Sequence, residues 1–179
     1  YPPGYLFLLM LFGIKIFRII TYMAGLLTIV LTWKLANELY DRKTATAASF
    51  FIALVPGFLI YPTIDPVALA ACCAVGGFYY LHRLTRQNSF LFTVLFSLCS
   101  FVFLLFTFVA SLWALFGIIF FWFSRENVKW KAFLKQLTIA SAILLGLFAA
   151  LYLISGFNMY ECFIGSLHRS KAINTFNVF

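Results

Sequence analysis

Between Asp41 and Glu126 the chain carries a single acidic residue, Asp65, and its 179 residues include only five acids in all: Glu38, Asp41, Asp65, Glu126 and Glu161. A soluble domain draws about a quarter of its residues from Asp, Glu, Lys and Arg, whereas here the share is 10%. A water-exposed surface cannot be assembled from so few charges. With 64% hydrophobic residues and a mean hydropathy of +1.01, most side chains must be solvated by lipid. The net charge of +8 is no nucleic-acid footprint, because no basic stripe is interleaved with polar surface; nucleic acid is excluded as a partner, and the bilayer takes its place.

A transmembrane helix needs about 20 apolar residues, with roughly 17 as a lower limit. Residues 17–33, 45–60, 67–81, 90–106, 109–123 and 137–154 meet or approach that length, and flanking aromatics or snorkelling Lys and Arg complete the shorter ones. The opening stretch, residues 5–14, would rise only about 15 Å as a helix, half the hydrocarbon thickness. It lies between Pro2-Pro3-Gly4 and the cations Lys15 and Arg18, and reads as an interfacial or re-entrant helix. The expected fold is an all-α polytopic bundle of about six transmembrane helices plus this short N-terminal helix, a single transmembrane domain over residues 1–179. Pro56 should kink or shorten the second span.

Charge placement orients the bundle. If the short helix does not cross, the turn at 34–43, the turn at 83–86 and the loop at 125–135 share one side. They hold nine of the thirteen Lys and Arg residues: Lys34, Arg42, Lys43, Arg83, Arg86, Arg125, Lys129, Lys131 and Lys135. The positive-inside rule makes that side cytoplasmic. The outer side then collects Lys15, Arg18, Asp65, Glu161, His168, Arg169 and Lys171, and chemistry is expected there. No phosphate-cradling glycine loop occurs on the cytoplasmic side. The cysteines Cys72, Cys73, Cys99 and Cys162 show no metal-ligand spacing; in apolar runs a free thiol behaves as a small hydrophobe. No cofactor motif is present, and no metal ligands are assigned, although a divalent ion as cofactor is left open.

Asp65 stands in Tyr61-Pro62-Thr63-Ile64-Asp65-Pro66, ahead of an otherwise uncharged helix. Asp is a favoured N-cap and Pro a favoured first helical residue, so capping alone accounts for the pair. An acid at membrane depth also reads as functional, and both roles stay open. Lys15 and Arg18, one turn apart, suit headgroup snorkelling or a cationic clamp for a phosphate, since Arg binds phosphate bidentately. His168 and Arg169, with Lys171, admit the same two readings, and Tyr160 and Glu161 read as capping or interface residues.

The order of these features resembles a family. A Pro-Pro aromatic segment is followed by a short helix, an Arg, and a long helix ending in Leu35-Ala36-Asn37-Glu38-Leu39-Tyr40-Asp41-Arg42. An Ala-rich helix with a late Pro comes next, then Asp-Pro at an outer turn. This is similar to the polyprenyl-phosphate-sugar-dependent membrane glycosyltransferases of the GT-C fold, nearest the protein O-mannosyltransferase and lipid A aminoarabinose transferase superfamily. The resemblance covers roughly residues 1–90. It implies inverting transfer of a hexose or mannose-like sugar from a polyprenyl-phosphate carrier to a glycan, lipid or protein acceptor on the outer or lumenal face. The family's catalytic Asp lies in a first outer loop upstream of the Pro-Pro segment, which this sequence does not include. Asp65 matches the outer Asp-Pro and is implied to be a supporting acid. The aminoarabinose branch has a Lys before the first Pro, where Tyr1 stands here, so Lys15 or Arg18 is implied to hold the phosphate instead. Tyr1, Tyr5 and Tyr61 are the candidates for facing the sugar, an interfacial aromatic belt being their default reading, with Pro2, Pro3, His168 and Arg169 as further substrate-binding candidates.

The chain begins with Tyr1 rather than Met and ends on Asn177-Val178-Phe179, which leads to the expectation of a piece of a longer polypeptide. The expected location is a bacterial or archaeal plasma membrane, with the endoplasmic reticulum membrane as the alternative. Two rival functions are carried forward: a transporter or flippase for a lipid-linked or small solute, which calls for broken mid-membrane helices and inverted repeats, and a non-catalytic membrane subunit.

Overall fold

The computed structural model describes residues 3–54, 67–106, 117–118 and 129–156. Five helices are laid down in chain order: α1 (Pro3–Leu39), α2 (Arg42–Leu54), α3 (Val67–Arg86), α4 (Phe90–Phe106) and α5 (Trp130–Ser155). The chain divides into two compact units, Tyr1–Leu144 and Leu145–Phe179. The first contains α1 to α4 and the opening of α5; of the second, the remainder of α5 and Gly156 are described.

Among the described residues, three segments are long and apolar enough to cross a bilayer: Gly13–Leu39, Val67–Arg86 and Trp130–Ile154, with Phe90–Phe106 a shorter apolar helix. The protein is therefore membrane-embedded. Side-chain exposure agrees: Ile19, Met23, Leu26, Phe50 and Phe51 are all at least 60% exposed. In water each would forfeit about 25 cal/mol per Å² of apolar surface left uncovered, so lipid is their natural solvent. The expected span at 109–123 lies outside the described residues apart from Gly117 and Ile118, which are helical. Of the expected span at 45–60, residues up to Leu54 are described, and the kink expected at Pro56 lies outside them.

Local chemistry sets the helix ends. Pro3 opens α1, where its missing N–H costs nothing. At Gly13 the helix breaks: φ 69° and ψ 166° interrupt an otherwise helical run. That combination is nearly restricted to glycine, and it separates residues 3–12 from the long segment beginning with Lys15. The short helix expected at 5–14 is thus a distinct piece, starting two residues earlier. Asp41 caps α2, its Oδ1 accepting the Thr44 amide at 3.0 Å as its backbone carbonyl accepts from Ala45.

Several helices outrun their apolar cores. The expected turn at 34–43 is helical through Leu39, Arg83 and Arg86 are in the last turns of α3, and Lys131 and Lys135 are in the first turns of α5. The correction has a simple cause. Hydropathy ends a span at its last apolar residue, but Lys, Leu, Ala and Glu are good helix formers and long cationic stems reach the interface from inside a helix.

Two constant offsets define the packing. Leu31 on α1 meets Gly76 on α3, and Glu38 meets Arg83 one heptad later, both 45 residues apart. These helices are therefore parallel. Thr93 bonds Gln136 at 2.7 Å and Ser97 donates to the Ala140 carbonyl at 3.2 Å, both 43 residues apart, so α4 and α5 are parallel too. Tyr80 stacks on Phe92 while Gly76 approaches Cys99, making α3 and α4 antiparallel. The connection Gln87-Asn88-Ser89 turns them tightly. At Gly76 an added Cβ would stand 3.3 Å from Cys99 Sγ and 3.5 Å from Leu31 Cδ1; the missing side chain is what lets α1, α3 and α4 close together.

Several buried hydroxyls are satisfied in the way lipid demands, whereas those of Thr32 and Ser100 have no partner among the described residues. Thr28 donates to the Ala24 carbonyl and Ser97 to that of Thr93, each at 2.8 Å within its own helix. Thr93 and Ser97 add the bonds across to α5.

Candidate functional site

The long part of α1 carries a charged group at each end. At its start, Phe17 and Thr21 face inward, 1% and 0% exposed, and Thr21 donates to the carbonyls of Phe17 and Arg18 at 3.2 and 2.8 Å. This buried pair fixes the rotation of the helix. At about 100° per residue, Arg18 falls on the flank and Lys15 nearly opposite the buried pair, about 60° apart, and both are exposed. They stand within the first two turns after the Gly13 break. The positive end of a helix dipole repels cations and attracts anions, so two cations beside a restarted helix concentrate positive potential. The charge chemistry suits a phosphate or carboxylate.

The structure brings α3 to the same end. Because α1 and α3 are parallel, Val67 opens α3 on the side where Lys15 and Arg18 lie. Asp65 precedes it by two residues and, with Tyr1, Pro2, Tyr61, His168 and Arg169, lies outside the described residues; so do Tyr160, Glu161 and Cys162. Pro3 and Tyr5 are in the first turn of α1. Of the expected substrate-binding residues, the structure therefore describes Pro3, Tyr5, Lys15 and Arg18, all on the N-terminal part of α1.

The opposite end holds a cluster that sequence reasoning missed. Arg83 Nη2 donates to Glu38 Oε1 at 2.5 Å and to the Tyr79 hydroxyl at 3.1 Å, and its guanidinium stands 5.4 Å from the Tyr79 ring centroid. His82 Nε2 is 4.0 Å from the other Glu38 oxygen, and Arg86 reaches the Glu38 carbonyl at 3.5 Å. Glu38 is the only acid in α1, and an acid within reach of a membrane calls for a cation on another helix. That was the available signal, although it does not choose among the cations. Lys34, Arg42, Lys43, Arg83, Arg86, Lys129, Lys131 and Lys135 all gather at this end, since it holds the close of α1 and α3 and the starts of α2, α4 and α5. Next to it, the Asp41 carboxyl is held below its ordinary 3.8 by hydrogen bonds from the Thr44 hydroxyl first and the Thr44 amide second.

Between the two ends runs an apolar groove of about 600 Å³, walled by α1, α3 and α4 through residues such as Leu27, Leu31, Cys73, Gly76, Tyr80 and Cys99. Among the described residues no group of three or more His, Cys, Asp or Glu could hold a metal ion. The thiols of Cys72, Cys73 and Cys99 are free. In comparisons with known proteins, the chain matches no family model, no curated protein and no solved structure.

Proposed function

We propose that the protein is a membrane glycosyltransferase that moves a sugar from a polyprenyl-phosphate carrier to a glycan, lipid or protein acceptor at the outer or lumenal face. The observation that carries this reading is the Gly13 break. It ends a short helix and restarts a span with Lys15 and Arg18 in its opening turns, at the end remote from the cationic cluster. A lipid-linked phosphate is an anion anchored at that depth by its own tail. Two cations and a helix dipole would hold it and stabilise the charge that develops as the phosphate leaves. Asp65, two residues ahead of α3 in the sequence, then acts as a supporting carboxylate. Tyr1, Pro2, Pro3, Tyr5 and Tyr61 contribute the sugar-facing surface, and His168 and Arg169 further contacts to the donor.

The packing also supports a topology of six crossings. Parallel α1 and α3 require the chain to return between them, and parallel α4 and α5 require a second return. Added to α1, α3, α4 and α5, these make six, with the cationic end cytoplasmic by the positive-inside rule.

The test uses the protein in membranes with a radiolabelled polyprenyl-phosphate sugar. Wild type should transfer label. Asp65→Asn, which retains capping ability, should lower kcat by about a hundredfold or more, the usual scale for a lost acid–base group. Lys15→Gln with Arg18→Gln should act on KM for the donor. Transfer by wild type that survives all three substitutions would assign the chemistry elsewhere, and no transfer with any donor would sink the glycosyltransferase reading.

A further inference from the structure

We propose that the apolar groove and the cationic cluster together form a binding site for an anionic glycerophospholipid, on the leaflet opposite to Lys15 and Arg18. The site is independent of the glycosyltransferase reading. Its acyl part is the groove of about 600 Å³ between α1, α3 and α4. Its head part follows from helical repeat. Ile20 and Leu27 line the groove, and Lys34 is the next residue at the same seven-residue step along that face of α1. Leu31 and Gly76 also line it, and one heptad further on each helix stand Glu38 and Arg83. The groove's polar end is therefore built from Lys34, Glu38, Arg83 and Arg86, within about two helical turns of its apolar wall.

The charge balance selects the head group. Glu38 is committed to Arg83, and Arg86 leans on the Glu38 carbonyl, which neutralises nothing. Lys34 is exposed and among the described residues has no ion-pair partner. Two positive charges are thus left over beside an apolar slot, at the depth where a phosphodiester meets hydrocarbon. A zwitterionic lipid would bring its own cation into that field, whereas an anionic one brings none. Basic pockets between membrane helices on the cytoplasmic side bind anionic head groups for this reason. Small side chains at Cys73, Gly76 and Cys99 supply the groove's depth, and Tyr80, three residues before Arg83, lines it toward the cationic end.

The experiment is native mass spectrometry of the detergent-solubilised protein titrated with dioleoyl phosphatidylglycerol or dioleoyl phosphatidylcholine. Phosphatidylglycerol should be retained in preference. Lys34→Gln should weaken its binding about fivefold and Lys34→Gln with Arg86→Gln about thirtyfold, at roughly 1 kcal/mol per interfacial charge. Leu27→Trp, a larger side chain at a half-exposed groove position, should remove the preference while leaving the thermal melt in place. Lys131→Gln, on α5 at the same end, should leave binding unchanged and so separates this site from general attraction to the face. Equal retention of the two lipids, or as large an effect from Lys131→Gln as from Lys34→Gln, would overturn the proposal.

Discussion

Arg83 on α3 donates to Glu38 on α1 across 2.5 Å, and this contact sits one heptad beyond the point where Leu31 meets Gly76. The pair does more than join two charges. It fixes the register of two parallel helices at the level where both leave the hydrocarbon, and Tyr79 holds the guanidinium from the side with a hydroxyl acceptor and a ring face. Glu38 and Arg83 are 19% and 31% exposed, so solvent screens part of their attraction. Breaking a fully buried pair costs about 3–5 kcal/mol; the exposure here lowers the expectation for Arg83→Leu to about 2 kcal/mol. Glu38→Gln with Arg83→Leu should cost less than Arg83→Leu alone, because it leaves no orphan carboxylate. Thermal melts of the three variants in detergent check the order.

Gly13 should tolerate no side chain on conformational grounds alone. Nothing lies within 4 Å of an added Cβ, so space is not the constraint; φ 69° with ψ 166° is. Gly13→Ala should cost about 1–3 kcal/mol of local strain, or be relieved by straightening the helix through the break. Straightening would carry residues 3–12 away from their present direction, and on the proposed function it would raise KM for the donor. Hydrogen exchange across residues 10–18 reads the first effect, and donor kinetics the second. Unchanged exchange and kinetics in Gly13→Ala would show that the break has no structural or functional weight.

How much of this was legible beforehand varies by residue. The start of the 90–106 helix was readable, because a charge-free, mostly apolar run follows Gln87-Asn88-Ser89, and the short first helix was readable from Pro3 and the Lys15–Arg18 pair. The ends of α1 and α3 were not. Lys34 to Leu39 look like a loop by hydropathy and are helix by propensity. The Glu38–Arg83 pair could not be found by local pattern, since 45 residues separate its partners and several cations compete at the same level. The groove was equally hidden: Cys73, Gly76 and Cys99 are three small residues in runs of other small or apolar ones, and only the parallel register of α3 and the antiparallel return of α4 bring them beside Leu27 and Leu31. Asp65, on which the sequence argument leaned most, lies outside the described residues.

Gly76 sets the distance between three helices. With Cys99 Sγ 3.3 Å and Leu31 Cδ1 3.5 Å from an added Cβ, Gly76→Ala requires a shift of a few tenths of an ångström and should be close to neutral. Gly76→Leu cannot be accommodated and should cost about 1–3 kcal/mol as overpacking. The same variant would narrow the groove, so its melt and its phosphatidylglycerol retention should fall together. A melt for Gly76→Leu equal to wild type would contradict the close packing.

The Thr93–Gln136 bond at 2.7 Å joins α4 to α5. Side-chain hydrogen bonds between membrane helices average about 0.6 kcal/mol in double-mutant cycles. Thr93→Val, Gln136→Leu and the double variant should therefore give a coupling near that value. The Ser97 bond to the Ala140 carbonyl supports the same register and sets a ceiling on the loss. A coupling indistinguishable from zero would mean that apolar packing, through Leu81, Leu84 and Phe133, holds α5 in place without it.

Asp41 gives the structure a pH dependence of known sign. Its carboxylate accepts from Thr44 twice, through hydroxyl and amide, and these bonds hold its pKa below the ordinary 3.8. A group whose folded value is depressed contributes stability that is fully present above the unfolded value and lost as pH falls through the folded one. The first turn of α2 should therefore stay protected above pH 3.8 and fray below it, with Thr44 and Ala45 exchanging first once rates are corrected for intrinsic pH dependence. Asp41→Asn keeps an oxygen to accept the Thr44 amide and removes the titration, since Asn caps as well as Asp. In that variant the first turn should be no more frayed below pH 3.8 than above it. Arg42 and Lys43, two cations in the first turn beside the positive dipole end, make the charge itself useful as well, so Asp41→Asn should fray slightly more than wild type at neutral pH. Wild-type protection at Thr44 that is flat from neutral pH down through the acid range would show that another group carries the cap.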